Sequence, residues 1–494
     1  MNLASIVSPH PAEALALVQG SRRVNYGQLR ADVERARAGL AARGVGPDDR
    51  VGLLCTSSPE FVVAYLAILG LGGVAVPINP QSPAEELEQE LGSVRPVAVV
   101  VGPADGQAAG RLDERGYVAI AATELAESAA PSAGIVDRLA HDPAALLFTS
   151  GTAGFPKPAV LTHGSLLANI EQMELRIGTA ATSDDVALLL IPPFHIFGLN
   201  AVLGVQLFVG GATVLAERFD PVATLELVQS EKVTLLPGVP DLFAALARQA
   251  GAKGDELATV RLAVSGAAPL SAEVASEFEE RFGVRLWQGY GLTEASPAVT
   301  FPDMTRRHDP ASVGMPLPGV EVRIIDSDGH EVIAHDPGEI LVRGPNVFAG
   351  YFEDAEATAG VLDAEGWLHT GDVAVISEDG ELTIVDRNKD LIIVSGFNVF
   401  PAEVEQVLAQ HPDVAEVAVV GVPDPAHGEA VRAFVVPKPG LWPATSRAPI
   451  GVSEPDLVRH CARYLARYKC PVGVSFVREL PRSVHGKALR RELR

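Results

Sequence analysis

Apolar positions recur every three to four residues over 28–42, where Leu29, Val33, Ala36 and Leu40 fall on one side of a helix. The next apolar run, 51–55, is continuous rather than alternating, as in a strand covered on both faces. A helix over 59–71 and strands over 74–78 and 97–101 follow. After residue 163 the alternation resumes: helix 164–173, strand 185–191, helix 199–209, strand 213–215, helix 221–231 and strand 234–237. Continuous apolar strands separated by helices predict doubly wound α/β layers, in which crossover helices cover a mostly parallel sheet. From 314 to 384 the texture turns β-rich, with turns such as Asp326-Ser327-Asp328-Gly329 and Glu378-Asp379-Gly380. Beyond a boundary near 388, helix 401–410, strands 414–422 and 431–437, helix 455–466 and strand 474–478 make a small α+β set. The expected fold class is α/β. A large N-terminal domain, 1–388, carries the doubly wound layers and a β-rich subdomain, and a small α+β domain, 389–494, follows. The proline-rich link over 437–455 reads as a surface loop with no assigned role.

A chain of 494 residues with 47% apolar content can fill more than one core. With 39 basic and 62 acidic side chains the net charge is −23, which argues against a nucleic-acid partner. The C-terminal tail is the exception: 478–494 holds six Lys/Arg against two Glu, which suits an anionic ligand or a solvated basic end. Cys55, Cys461 and Cys470 lack metal-ligand spacing; paired disulfides are not expected either, and a reduced cytoplasmic compartment is the simplest reading. No basic segment followed by an apolar run opens the chain, so no secretory signal is expected. The stretch 186–216 has no Asp, Glu, Lys or Arg and is long enough to span a bilayer. It also contains Pro192-Pro193, His195, Asn200, Gln206 and Gly210-Gly211. We read it as strand, turn and buried helix, with no transmembrane span.

After the apolar run 144–148 the chain reads Thr149-Ser150-Gly151-Thr152-Ala153-Gly154-Phe155-Pro156-Lys157. Exposed backbone N–H groups, several hydroxyls and one cation are the groups that wrap a polyphosphate. The order is neither the Walker A loop nor the glycine fingerprint of dinucleotide folds. Alone, such a loop also fits a flexible surface turn.

Four further segments give it weight. They are Gln288-Gly289-Tyr290-Gly291-Leu292-Thr293-Glu294; Gly366-Trp367-Leu368-His369-Thr370-Gly371-Asp372; the run from Asp386-Arg387-Asn388-Lys389-Asp390 through Ser395-Gly396-Phe397-Asn398; and Pro481-Arg482-Ser483-Val484-His485-Gly486-Lys487. Together with the loop they resemble the adenylate-forming superfamily of acyl-CoA synthetases, adenylation domains and beetle luciferases, from about Val24 to Arg494. In motif detail the chain is most similar to fatty-acyl-CoA and coumarate-CoA ligases.

The resemblance implies an ATP- and Mg²⁺-dependent enzyme that couples a carboxylic acid to CoA through an acyl-adenylate. A carboxylate is a poor acyl donor, and bringing it onto a triphosphate sets two anions against each other. Cations and preorganised donors must offset that repulsion. By resemblance, Lys487 bridges the carboxylate and the α-phosphate, Thr293 contacts the α-phosphate, and Glu294 holds Mg²⁺ with Thr152. Thr149, Ser150, Gly151, Thr152, Gly154 and Lys157 would hold phosphates. Gly266, Ala267, Ala268, Gln288, Gly289, Tyr290 and Gly291 would form the adenine pocket, with the Tyr290 ring on the base. Asp372 would accept from the ribose hydroxyls with support from Arg387. Lys389 would be the hinge about which a mobile C-terminal domain swings, and Ser395, Gly396 and Phe397 would lie along the CoA arm. His195 and Phe197, with Val239 and Gly291, would border the carboxylate and the acyl pocket. Arg459, Arg463 and Arg467 read as one helix face able to meet CoA phosphates, although a solvated face accounts for them as well.

Several positions depart from the family pattern. Ala153 and Pro158 stand where Thr and Gly are usual, and His485 and Ala488 flank the lysine where Thr or Asn and Ile are common. Gly291 replaces a pocket-closing Trp of acetate-specific relatives, and Gly289 an Arg of malonate-using ones. The expected pocket is therefore open and uncharged, and 191–200 lacks the Asp that amino-acid-activating relatives use. Medium- or long-chain fatty acids are the leading substrates, with aryl-propenoic acids of coumarate type next. A stand-alone enzyme loading a carrier-protein phosphopantetheine is the rival reading; an oxygenase or a non-enzymatic nucleotide-binding module ranks lower. The expected partners are the acid, ATP and CoA, with a homodimer left open.

Overall fold

Asn25 begins the first long helix. Its side chain accepts from the Gln28 N–H at 2.8 Å, and the Gln28 side chain accepts from the Asn25 N–H at 3.0 Å. This capping box starts the helix at Tyr26 and runs it to Ala42, two residues ahead of the apolar periodicity. Leu29, Val33, Ala36 and Leu40 are all buried, as their spacing predicts. Helix Pro59–Gly70 is capped by Ser58 and buried along almost its whole length, which explains its lack of a polar face.

The computed structural model describes residues 1–82, 84–105, 112, 115–128, 134–149, 157–177, 181–305, 309–387, 392–394, 397–399, 401–424, 428–442, 449–465, 467–482 and 489–493. The chain divides into two units. One comprises Met1–Val322, Leu341–Thr370 and Asp379–Leu382; the other comprises Arg323–Ile340, Gly371–Glu378 and Thr383–Arg494.

The larger unit holds two extended sheets. The first runs in the order Ala119–Ala121, Ala98–Val101, Arg50–Leu54, Val74–Pro77, Pro143–Thr149 and Lys157–Thr162, parallel except for the last pair. The second runs Leu286–Gln288, Leu262–Ser265, Leu235–Gly238, Val186–Leu189, Ala212–Leu215, Leu15–Gln19 and Arg22–Asn25. It too is parallel until its final hairpin. Strands such as Val74–Pro77 and Ala212–Leu215 are buried at every residue, the outcome expected for continuous apolar runs. Helices Pro240–Ala247 and Ala272–Phe282 pack through Phe243 and Phe278, whose rings meet edge to face at 5.1 Å. Such a pair adds about 0.5–1.5 kcal/mol beyond its burial.

Two local features differ from the pattern. The helix expected over 164–173 starts at His163, but ahead of it Lys157–Thr162, which the pattern left unassigned, is a strand antiparallel to Pro143–Thr149, with Thr149 opposite Lys157. The helix expected over 199–209 is a π-helical turn, Phe197–Gly204, followed by α-helix Val205–Val209. Gly198 and Gly204 permit it. A Cβ at Gly198 would stand 2.4 Å from the Ile191 carbonyl oxygen, and one at Gly204 would stand 2.9 Å from Asn200 Oδ1. The charge-free stretch is thus strand, turn and buried helix, and among the described residues no helix is long and apolar enough to cross a membrane.

In the smaller unit, Val414–Asp424 and Gly428–Pro437 form a long antiparallel pair. Gly473–Phe476 lies parallel to the second of these strands, and Ile392–Val394 and Phe397–Val399 continue the sheet. Helix Pro401–Ala409 contributes Val404 and Leu408 to a core with Val419, Val435 and Leu457. Helix Glu454–Cys461 ends earlier than expected. Arg459 lies on it, bonded to Asp456 at 2.8 Å, while Arg463 and Arg467 lie beyond its end. The three arginines therefore do not share one helix face. Between 314 and 384, strands Glu321–Ile325, Gly338–Arg343 and Leu368–Ile376 bear out the β-rich texture.

His163, the first residue of helix His163–Ile177, is 1% exposed. Its Nδ1 accepts from the Leu3 N–H at 3.1 Å, so Nε2 carries the proton. Burial, then the positive Arg138, pushes its pKa down to about 4. The neutral ring is favoured in the fold, so this contribution is complete above the ordinary value of 6.5 and is lost as the pH falls towards 4. Between about pH 7.5 and about pH 5 the wild type should lose about 2 kcal/mol from this residue. His163→Gln should not lose that share. Urea unfolding of both proteins at the two pH values measures it; parallel losses would show that His163 does not carry the effect.

Candidate active site

Parallel strands release the chain at their carboxyl ends, and ligands of open α/β sheets gather there. In the second sheet Gly238 lies opposite Ser265 and Ser265 opposite Gln288. The residues that follow these positions are therefore neighbours: Val239, then Gly266-Ala267-Ala268, then Gly289-Tyr290-Gly291. Backbone bonds continue the alignment beyond the strands, from Gly266 N–H to the Gly238 carbonyl and from Gly289 N–H to the Ser265 carbonyl, each 3.1 Å. Ala267 holds φ +66°, a left-handed conformation unusual for a residue with a side chain. From the adjacent strand Val186–Leu189 the chain runs to His195 and Phe197. His195 is exposed, and its Nδ1 accepts from the Phe197 N–H at 3.2 Å. The Phe197 ring covers Gly266: a Cβ there would stand 3.0 Å from its edge. The sheet thus brings together Val239, Gly266, Ala267, Ala268, Gln288, Gly289, Tyr290, Gly291 and Phe197.

Gly291 needs a correction. A Cβ at this position would stand 2.2 Å from the Pro297 carbonyl oxygen. The glycine is required by the close return of its own turn, so its presence does not report an open acyl pocket. Gly289 is less crowded: a Cβ there would meet the buried Phe301 ring at 3.1 Å and the Thr300 carbonyl oxygen at 3.3 Å.

Thr293 and Glu294 lie on the short 3-10 turn Thr293–Ala295, which runs into Ser296 at φ +67°. Three buried asparagines hold this turn by its backbone. Asn200 Nδ2 donates to the Ser296 carbonyl at 2.7 Å and the Leu166 carbonyl at 3.0 Å. Asn169 donates to the Ala298 carbonyl at 2.8 Å and accepts from the Ala298 N–H at 3.0 Å. Asn346 donates to the Ala295 carbonyl at 3.0 Å. Each asparagine is at most 1% exposed. The irregular turn has few backbone partners of its own, so side-chain amides supplement them.

Tyr351 and Asp354 tie the turn to the phosphate-loop hairpin. The Tyr351 hydroxyl donates to Glu294 Oε1 at 2.7 Å. Burial, then the charge of Glu294, holds that hydroxyl protonated well above the usual phenol range. Lys157 Nζ bonds Asp354 Oδ2 at 2.7 Å and lies 5.8 Å from the centre of the Tyr351 ring. The Lys157 hydrogen bond draws Asp354 below the ordinary carboxylate range. Asp354 also caps helix Ala355–Ala359 by accepting from Ala357 N–H. The Glu294 carboxylate suits a hard cation such as Mg²⁺: it is half-buried, and among the described residues Oε2 makes no hydrogen bond. The asparagines, Tyr351 and Asp354 belong to no motif noted in the sequence; only the polar residues inside apolar helices at 169 and 200 could have flagged part of the set.

Thr149 donates its hydroxyl to the Lys157 carbonyl at 3.3 Å, closing the hairpin. Ser150, Gly151, Thr152 and Gly154 lie outside the described residues, as do Lys389, Ser395, Gly396 and Lys487. In the smaller unit Asp372 is buried in strand Leu368–Ile376, Arg387 ends strand Leu382–Arg387, and Phe397 opens strand Phe397–Val399.

Comparison with known proteins gives the family. Residues 5–352 match the AMP-binding enzyme model, and 403–487 match the AMP-binding enzyme C-terminal domain. The chain is 37% identical to a feruloyl-CoA synthase of Amycolatopsis sp, over 99% of this chain and 96% of that one. It is 34% identical to a long-chain-fatty-acid–CoA ligase of Yersinia pestis, over 99% and 94%. Among solved structures, ATP-bound MatB from Rhodopseudomonas palustris superposes with a TM-score of 0.91 at 33% identity, covering 100% of this chain and 98% of that one. The chain belongs to the AMP-binding enzyme family, within the adenylate-forming superfamily. It is an ATP-dependent CoA ligase of that family, which uses ATP, Mg²⁺ and CoA.

The amide clamp has a measurable consequence. Asn169→Ala leaves the half-buried Ala298 N–H without its acceptor, while Asn346 Nδ2 still reaches the Ala298 carbonyl at 3.3 Å, and should cost about 1–3 kcal/mol of stability. By the role the resemblance gives Glu294, loosening this turn should also weaken ATP binding, although Asn200 and Asn346 still hold it. Urea unfolding and an ATP titration check both effects; wild-type values in each would remove Asn169 from this role.

Proposed function

We propose that this protein activates a hydrophobic monocarboxylic acid, foremost a medium- or long-chain fatty acid, as its acyl-adenylate and transfers it to CoA. The observation that carries the reading is a set of groups at the carboxyl ends of the second sheet, with the Thr293–Ala295 turn tied through Tyr351 and Asp354 to the edge hairpin of the first. Small residues and Tyr290 stand ready for a base, and Glu294 with Lys157 stands ready for a triphosphate. The flanking Phe197, Val239, Gly266 and Gly289 carry no charge that would select a second carboxylate or an amine. An aryl-propenoic acid is the second reading, favoured by the 37% identity to a feruloyl-CoA synthase.

In the first half reaction a carboxylate oxygen attacks the α-phosphorus, and the bond to pyrophosphate breaks. Lys157 and Lys487 supply positive charge, Thr293 a hydroxyl, and Glu294 a carboxylate for the cation. Mg²⁺, when bound, offsets charge on the phosphate oxygens. Asp372 and Arg387 would serve the ribose, and His195 would border the acid. In the second half reaction the CoA sulfur attacks the acyl carbon and AMP leaves. Ser395, Gly396 and Phe397 would line the thiol arm after domain 389–494 turns about Lys389. A carrier-protein phosphopantetheine is the alternative acceptor.

Pyrophosphate release across acids from acetate to oleate, with coumarate, ferulate and benzoate, tests the substrate class. Each buried methylene adds about 0.8 kcal/mol, so kcat/KM should climb from acetate through octanoate. A maximum at ferulate or coumarate would move the assignment to the aryl class, and a maximum at acetate would exclude both.

The half reactions should separate. Lys487→Ala should lower adenylate formation by several orders of magnitude, about what removing a central charge-stabilising group costs, and spare thioester formation from supplied acyl-AMP. Gly396→Leu should do the reverse by filling the thiol channel. Equal loss of both steps in both folded variants would contradict the two-step assignment.

A further inference from the structure

Tyr351 stands on the segment 349–352, which runs beside strand Lys157–Thr162. Val160 N–H donates to the Gly350 carbonyl at 2.9 Å, Ala349 N–H to the Val160 carbonyl at 3.0 Å, and Phe352 N–H to the Pro158 carbonyl at 2.8 Å. These bonds fix the segment against the strand that Lys157 opens. The same segment reaches Glu294 twice. Phe348 N–H donates to the Glu294 main-chain carbonyl at 2.9 Å, and the Tyr351 hydroxyl donates to the side chain at 2.7 Å. The Phe348 and Tyr351 rings meet edge to face at 5.1 Å, which steadies the hydroxyl.

We propose that Tyr351 is a positioning residue of the metal–triphosphate subsite, holding the Glu294 carboxylate by one oxygen so that the other faces the Mg²⁺ of Mg·ATP. The inference rests on the reading of Glu294 given above. A glutamate side chain has three rotatable bonds, and ordering it at the moment of binding lowers affinity. A hydrogen bond formed on folding removes that cost beforehand. The chemistry of the donor matters as much. Lysine or arginine here would neutralise the carboxylate and compete with a cation, whereas a phenol orients it and leaves its charge intact.

Tyr351→Phe deletes one oxygen and keeps the ring contacts with Phe348 and Lys157. The probe is α,β-methylene-ATP, whose bridging carbon blocks adenylation, titrated calorimetrically into the full chain with Mg²⁺ or with EDTA. With Mg²⁺, Tyr351→Phe should raise Kd by about five- to tenfold, the scale of one hydrogen bond to a charged group. With EDTA it should match the wild type. Glu294→Gln should lose affinity in the same Mg²⁺ arm, and thermal melts without nucleotide confirm that both variants are folded. Wild-type affinity for Tyr351→Phe beside a weakened Glu294→Gln would overturn the inference, since the carboxylate would then need no anchor. Equal weakening with Mg²⁺ and EDTA would also overturn it, as a general structural loss. Wild-type behaviour of both variants would overturn the reading of Glu294 itself, and the inference with it.

Discussion

Parallel strands all end on the same side of a sheet, and the chain must leave each of them there with unpaired backbone groups. The larger unit depends on this constraint. Strands Val186–Leu189, Leu235–Gly238, Leu262–Ser265 and Leu286–Gln288 discharge their loops side by side. Backbone bonds from Gly266 to Gly238 and from Gly289 to Ser265 keep those loops in register past the last paired residue. A surface of small residues and exposed backbone results, rigid because a buried sheet lies beneath it. That combination suits a flat base and a charged tail better than a cavity shaped by long side chains would.

Charge is managed on the same principle. The turn that carries Thr293 and Glu294 is irregular and has few backbone partners of its own. Asn169, Asn200 and Asn346 supplement them from three separate elements. Each amide is neutral and holds the turn without altering the charge of Glu294. Across the hairpin, Lys157 is paired with Asp354 before any nucleotide arrives. Both partners are partly exposed, so the pair is a weak one. Glu294 and Lys157 are thus ordered without either being consumed by a strong buried salt bridge.

Much of this was legible in the order of residues. The strands over 51–55, 74–78 and 213–215 show as continuous apolar runs, because a strand buried on both faces has no polar side to display. Helix Pro221–Glu231 has the bounds its pattern predicts, since Asp220 and Pro221 mark its start. The π-helical turn at Phe197–Gly204 did not show. Its periodicity in a wholly apolar stretch is hidden, and it depends on how closely Gly198 approaches the Ile191 carbonyl. The strand at Lys157–Thr162 was missed for a similar reason: its pairing partner lies across the loop, and local pattern does not record it.

The sequence by itself determined the family, the α/β class and the chemistry-bearing motifs, because those are short runs whose residue types and spacing carry their meaning locally. It did not determine what orients them. Tyr351 lies 57 residues from Glu294, and Asp354 lies 197 from Lys157. Asn169 and Ala298 are 129 apart. Nothing local marks an asparagine in an apolar helix or a tyrosine after a glycine as a support for a distant turn. The role of Gly291 shows the limit from the other side. In sequence it reads as space left for a substrate, and in the fold it is space taken by the Pro297 carbonyl. Steric contact and hydrogen bonding act between atoms brought within a few ångströms, and only the folded chain decides which atoms those are.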